Sequence, residues 1–328
     1  MADYVDACRR ELGGAELPAA TSVFVGGGTP SLLPPHMLAT LIGDVRVTDD
    51  AEVTVECNPD DISVGALEAY RDAGVNRISI GVQSTVPHVL SALGRAHDPA
   101  TVRRAAHAVG DARIASYNVD LVYGAAGESV DDWRRSIADV LALEPVPAHI
   151  SAYGLTVEAG TPLAADPARH PDDDDQATKY ELADDALASA GLANYEISNW
   201  ARPGHECRHN TLYWSGGNYR GIGCAAHSHE SGRRWWNIRT PDRYIAAVER
   251  GESTEAGSEV LDPETRLLET LQLELRTRSG VDAGALDQSD PALEGLVERC
   301  DGRLVLTRRG RLMANEVAMR LRSRVPAT

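Results

Sequence analysis

The chain has 328 residues, 43% apolar and 25% charged, the balance of a globular protein long enough for one large α/β domain with an appendage or for two domains. Its formal net charge of −17 argues against nonspecific binding to nucleic acid or anionic lipid. No apolar run approaches the roughly 18 residues of a membrane helix, and the polar start MADYVDACRREL has no signal-peptide core, so the cytoplasm is the expected compartment.

Short β-rich runs that end in Gly, Pro, Asn or Asp recur along the first half. They are TSVFVGGG (21–28), EVTVECNPD (52–60), NRISIGVQS (76–84), SYNVDLVYG (116–124) and AHISAYGLT (148–156). Helical patterns lie between them, over 35–45, 63–73, 86–94, 99–110 and 129–143. Such alternation predicts βα units around a parallel sheet. Residues 171–190 read as a solvated acidic loop, Asp172 to Asp175, that caps a helix, with Gly191 as its C′ residue. NYEISNWA reads as one further strand. From about residue 262 an amphipathic helix is followed by LEGLVERCDGRLVLTRRGRLMANEVAMRLR, read as helix, short β segment and helix, a small winged-helix-like domain. The expected division is 1–165, 166–250 and 251–328.

The distinctive residues cluster at the C-terminal ends of the strands: Gly26 to Pro30, Glu56 to Pro59, Gln83, Asp120 with Gly124, and Tyr153 with Gly154. In parallel α/β sheets and barrels that edge binds ligands. Three consecutive glycines are entropically costly unless the backbone must approach something closely. No GK[ST] follows GGGTP and no GxGxxG occurs, so neither phosphate-loop motif applies, and a tight strand-to-helix turn is the plainer reading of that loop alone. Glu56, Gln83, Arg95 and Asp120 together would suit an amino-acid zwitterion and a ribose, because carboxylates accept from amines and hydroxyls and a guanidinium pairs with a carboxylate.

A second cluster, CRHNTLYWSGGNYRGIGCAAHSHESGRRWWN (207–237), gathers Trp214, Trp235, Trp236, Tyr213, Tyr219, His209, His227 and His229, with Trp200 nearby. A domain-closing aromatic core is the plainer reading. A large planar ligand with an imidazole partner is the sharper one. Cys8, Cys57, Cys207, Cys224 and Cys300 are widely spaced, contain no CxxC and form neither a disulfide framework nor a metal set. The basic stretch Arg308, Arg309 and Arg311 could touch nucleic acid, but no recognition-helix pattern accompanies it and the overall charge opposes it.

Seven stretches carry a resemblance: FVGGGTPS, VECNPDDI, RISIGVQS, LGRAHD, NVDLVYG, YEISNWA and HNTLYWSGGNYRGIGCAAHS. Over roughly residues 1 to 322 the chain resembles the radical SAM proteins related to oxygen-independent coproporphyrinogen III oxidase, and among them the HemW group of heme chaperones. The resemblance implies a (β/α)6 partial barrel binding S-adenosylmethionine at its rim, with heme as cargo for recipient hemoproteins of respiration. It assigns Gly27, Gly28, Thr29, Glu56, Gln83, Arg95 and Asp120 to S-adenosylmethionine, Gly154 and Ala226 more loosely, and His209, Asn210, Tyr213 and Trp214 (HNxxYW) to heme. Coproporphyrinogen oxidation is the alternative activity. A homodimer and peripheral membrane contact through the recipients stay open.

The group's CxxxCxxC motif, which holds a 4Fe-4S cluster after its first strand, does not occur in this sequence, and Cys8 alone cannot replace it. ADYVDACRREL looks like the helix that follows that strand, so the expectation is a barrel missing its first strand and cluster loop. Without three thiolates no cluster delivers an electron to the sulfonium.

Overall fold

The computed structural model describes residues 1–322. In chain order the elements are α1 (Ala2–Gly14), β1 (Ala20–Val25), α2 (Pro35–Gly43), β2 (Val47–Cys57), α3 (Val64–Asp72), β3 (Arg77–Gln83), α4 (Pro87–Ala92), α5 (Pro99–Asp111), β4 (Ser116–Tyr123), α6 (Val130–Leu141) and β5 (His149–Gly154). There follow α7 (Asp173–Ser189), β6 (Ala193–Glu196), β7 (Asn199–Ala201), α8 (Arg208–Trp214), β8 (His227–Glu230), β9 (Arg233–Asn237), α9 (Pro241–Glu249) and β10 (Glu255–Val260). The last are α10 (Pro263–Glu274), β11 (Val281–Asp282), β12 (Val297–Cys300), β13 (Arg303–Leu306), α11 (Arg308–Leu312) and α12 (Ala314–Ala318). Two compact units result, one of residues 22–39 and 50–206, the other of 1–21, 40–49 and 207–328.

The unit of residues 22–39 and 50–206 is built on a sheet ordered β1-β2-β3-β4-β5-β7-β6. Strands β2 to β5 pair in parallel, as the alternation of strand and helix predicts. NYEISNWA makes two short strands rather than one: β6 and β7 pair antiparallel to each other, and β7 pairs antiparallel to β5. The break falls at Ile197 and Ser198, where the Glu196 side chain accepts from the Ser198 N–H at 3.0 Å. Helix ends follow their caps: Ser63, Asp98, Ser129 and Asp172 each accept from a first-turn N–H. Asp172 is therefore a cap, as read, whereas Asp173 to Asp175 form the first turn of α7 rather than a loop, and Gly191 follows the helix with φ +80°.

The sheet's two faces differ in chemistry. One carries Val53, Val55, Ile78, Ile80, Val119, Leu121, Ile150 and Ala152, all buried. Trp133 of α6 packs on that face against Tyr123, ring centroids 5.2 Å apart. The opposite face carries Thr54, Ser79, Asn118, His149 and Ser151, buried but polar. Period-2 alternation puts them there. In register, Glu56, Ser79, Asn118 and His149 form one row across four strands, and Gly81, Asp120 and Ser151 the next.

The other unit contains the sheet β10-β9-β8 and the small sheet β11-β13-β12. The latter has its own core of Leu275, Val281, Leu286, Leu293, Leu304 and Val317. LEGLVERC is a short turn and strand β12, not the expected helix. Its Val297 pairs with Leu306, and that pairing with β13 overrides local helix propensity. Within this unit, Glu11 of α1 is a four-way acceptor. Its Oε2 takes the Gly223 N–H at 2.9 Å and the Tyr244 hydroxyl at 2.5 Å, and its Oε1 takes Asn237 Nδ2 and the Thr254 hydroxyl, each at 2.8 Å.

Removing that carboxylate leaves several donors unpaired at once. Glu11→Ala is expected to destabilise this unit by about 3 kcal/mol, read as a lowered urea midpoint. Glu11→Gln keeps one acceptor oxygen and should fall between wild type and Ala.

Candidate functional site

The strand ends of the first-described unit bring together Gly26–Thr29, Glu56, Gln83 and Asp120. The three glycines have different reasons to be glycine. A Cβ on Gly26 would lie 2.7 Å from Glu56 Oε2 and 2.8 Å from the Phe24 ring, so Gly26 makes room for Glu56. Gly27 adopts φ +84°, a left-handed backbone that disfavours side chains, and the space beyond it is open. Gly28 likewise faces open space, and all three glycines are exposed. The loop is thus a turn supported by Glu56 beneath and unobstructed above.

Glu56 is only partly buried, yet its carboxyl is pushed above the usual carboxylate range. Burial is the main cause and the charge of Asp120 the second, while the Gly27 N–H pulls the other way. Asp120 is held from below: Ser79 Oγ donates to its Oδ2 at 2.8 Å and Asn118 Nδ2 to its Oδ1 at 2.7 Å. Because Asn118 Nδ2 serves a carboxylate, its amide oxygen is the atom that faces His149. His149 Nδ1 lies 2.6 Å from that oxygen and therefore carries the proton, leaving Nε2 to accept from the Tyr195 hydroxyl at 2.8 Å. His149 is fully buried and its pKa lies well below the ordinary 6.5, chiefly through burial and then through Arg77 and His205.

Gln83 has φ +64°, a strained backbone for a side-chain-bearing residue, at an irregularity in the β3–β4 register between Gly81 and Gln83. Its amide folds back so that a Cβ on Gly81 would sit 2.9 Å from Gln83 Nε2. The segment LGRAHD is anchored by buried His97, whose Nε2 donates to the Val82 carbonyl at 2.8 Å. Arg95 on that segment is exposed. Gly154 is half-buried, with a Cβ position 3.3 Å from the Tyr123 hydroxyl. Beyond Asp120, the loop at Gly124 is fixed by Glu128, whose Oε2 accepts the Gly124 N–H at 2.7 Å. Lys179, the only lysine of the chain, is fully buried and donates to the Glu128 carbonyl at 2.8 Å and to Asp175 Oδ2 at 2.6 Å.

Sequence reasoning missed Asn118, His149, His97, Glu128 and Lys179, all of which support the site without lining it. A polar residue on alternate positions inside an otherwise apolar strand was the available signal for Asn118 and His149. For Lys179 it was being the one lysine in an arginine-rich chain.

In the other unit, HNxxYW lies on α8. His209, Asn210 and Trp214 are partly buried and Tyr213 is exposed. The His209 and Tyr213 ring centroids are 5.3 Å apart, and Tyr213 stacks on Tyr219 at 4.3 Å and 24°. His229 has both ring nitrogens engaged, Nδ1 with the Gly217 carbonyl at 2.9 Å and Nε2 with the Gly232 N–H at 3.2 Å. Trp235 is a core residue with the guanidinium groups of Arg220 and Arg233 over its ring, 5.2 and 4.6 Å from the centroid. Ala226 belongs to this unit and is half-buried.

Residues 4–140 match the model of the radical SAM superfamily. The heme chaperone HemW of Mycobacterium tuberculosis H37Rv is 42% identical over 327 residues, covering 95% of this chain and 83% of that protein. This chain belongs to the HemW family of heme chaperones. HemW of Escherichia coli K12 is 36% identical over 90% of this chain and 82% of its own length, and HemW of Bacillus subtilis 168 is 31% identical over 92% and 85%. The solved structure of E. coli coproporphyrinogen III oxidase, a radical SAM enzyme, superposes with a TM-score of 0.81 over 97% of this chain and 82% of that one. At 20% identity this likeness shows the shared fold.

The superfamily implies S-adenosylmethionine and a 4Fe-4S cluster, and this chain fits the two differently. The open glycine turn and the strand-end residues Glu56, Gln83 and Asp120 fit the first. For a cluster, no group of three His, Cys, Asp or Glu residues that could hold a metal occurs among the described residues, and Cys8, Cys57 and Cys207 are buried.

Neutral burial of His149 carries a pH signature. Above its ordinary pKa of 6.5 the imidazole is neutral in both states. As pH falls below that value the unfolded chain takes up a proton that the native state refuses, so stability falls. Glu56 works in the opposite direction, because its raised pKa makes the native state bind its proton first. Urea melts at about pH 7.5 and about pH 5.5 should therefore show a larger loss for wild type than for His149→Gln, the difference isolating the imidazole.

Proposed function

We propose that this chain binds heme and S-adenosylmethionine and delivers heme to hemoproteins, from a cytoplasmic location. The observation that carries the heme reading is the ladder of His209, Tyr213 and Tyr219, in which the exposed Tyr213 ring stands between an imidazole and a second tyrosine. An exposed tyrosine stacked on a second ring is poor core packing and a good wall for a planar macrocycle. His209 is the assigned iron ligand there, and Asn210 and Trp214 complete the heme-facing segment.

At the strand ends, the methionine end of S-adenosylmethionine would lie over Gly27, Gly28 and Thr29. Glu56 and Asp120 would accept from its amine and ribose hydroxyls, Arg95 would pair with its carboxylate, and Gln83 would reach it from its strained turn. Gly154 is a looser assignment to the same ligand. When bound it supplies an electrophilic sulfonium. The chain's own part is to bind and orient it, with Asp120 held in place by Ser79 and Asn118.

Hemin titration followed by absorption tests the first half of this reading, and calorimetry with S-adenosylmethionine tests the second. His209→Ala should weaken hemin binding about tenfold or more while leaving the urea melt unchanged. Unchanged affinity would remove His209 from the site. Gly27→Val should abolish S-adenosylmethionine binding, because a branched side chain both strains φ +84° and fills the open approach. Hemin uptake should persist in that variant. Protoporphyrinogen formation in an anaerobic assay would instead favour the oxidase activity.

A further inference from the structure

His227 stands apart from the other two histidines of its unit. His229, on the same side of β8, has both nitrogens engaged in backbone hydrogen bonds. His209 belongs to the α8 motif already assigned. His227 is exposed, and neither of its ring nitrogens has a hydrogen-bond partner among the described residues.

Its surroundings are built rather than loose. His227 pairs across strands with Trp236, ring centroids 5.9 Å apart and planes tilted by 31°. The indole reaches over β10 at Gly257, where a Cβ would lie 2.6 Å from Trp236 Cζ2, so no side chain can stand there. Two residues before His227, Ala225 holds a left-handed φ of +58°, a conformation an alanine adopts only when its surroundings compel it. Those surroundings are on hand. The Ala225 N–H donates to the Ile238 carbonyl at 3.0 Å and the Asn237 N–H to the Ala226 carbonyl at 2.9 Å. Asn237 Nδ2 also grips the Gly223 carbonyl at 2.9 Å, and Glu11 grips the Gly223 N–H. Segment 223–227 is thus clamped from beneath while it presents an unengaged imidazole outward beside an indole.

We infer that His227 is an axial ligand to the iron of bound heme, with Trp236 as the wall that meets the macrocycle. This rests on the heme reading above and names a ligand that reading does not use. An imidazole ligates with its ring plane along the iron axis, so the macrocycle lies across it. With the indole tilted 31° from the imidazole, macrocycle and indole meet at a steep angle, the edge-to-face arrangement aromatic pairs favour. One coordinate bond forms between a neutral ring nitrogen and the iron, a solvent ligand leaves, and no electron is transferred.

The test is titration of the full chain with hemin, read by Soret position and electron paramagnetic resonance. Wild type should show the signature of iron held by two imidazoles, His209 and His227. His227→Ala should lose it and bind hemin about tenfold or more weakly, and free imidazole should restore the signature. His227→Gln, which keeps size and polarity, should also lose it. Both variants are at an exposed position and should keep the wild-type urea midpoint. Wild-type spectra and affinity in His227→Ala would overturn the inference and leave the heme reading standing. A wild-type chain that takes up no hemin would overturn both.

Discussion

The buried polar row on one face of the seven-stranded sheet is the constraint from which the strand-end site follows. A sheet face that must stay inside yet carry Asp120 needs each donor and acceptor paired, or each costs on the order of 1–3 kcal/mol. Ser79 and Asn118 meet that need for Asp120, His149 meets it for Asn118, and Tyr195 for His149. Each member fixes the orientation of the next. The carboxylate sets the Asn118 amide, the amide sets the histidine tautomer, and the tautomer makes the tyrosine a donor. Only a neutral imidazole completes the series, which is why burial of His149 is tolerated and its charging is not.

The same logic of support from beneath appears at each strand-end loop. Glu56 occupies the space that Gly26 vacates. His97 ties the Arg95 segment to the end of β3. Lys179 and Glu128 brace the turn at Gly124 from inside. In the other unit Glu11 collects four donors, two of which, Gly223 and Asn237, flank the segment that ends in His227. Strained backbones at Gln83 and Ala225 sit within these braced regions, where surrounding bonds can hold them. Residues that face outward are thereby positioned before any ligand arrives, which lowers the ordering cost of binding.

The S-adenosylmethionine assignments and the cluster illustrate how far family likeness reaches. Glycine turn, carboxylates and glutamine are present at the strand ends. A metal-holding triad is not found among the described residues. The S-adenosylmethionine proposal therefore rests on the side chains of that edge, and the heme proposal on the aromatic segment of the other unit.

Much was legible in the sequence because it depends on local pattern. Period-2 apolar runs ending in turn residues located β2 to β5, and Asp172 marked a helix start through cap chemistry that acts within three residues. The glycine loop and Glu56, Gln83 and Asp120 could be named because strand ends in parallel sheets share one edge. Tertiary structure decided what depends on distant partners. The split of NYEISNWA into β6 and β7 follows from pairing with β5, and LEGLVERC became a strand because β13 lies beside it. Which histidine of HSH is locked and which is presented turns on Gly217 and Gly232, contacts that no spacing in the chain reveals. The reason is the same in each case: a hydrogen bond between residues far apart in sequence can outweigh local preference of a few tenths of a kcal/mol, and only the folded chain shows where that bond goes.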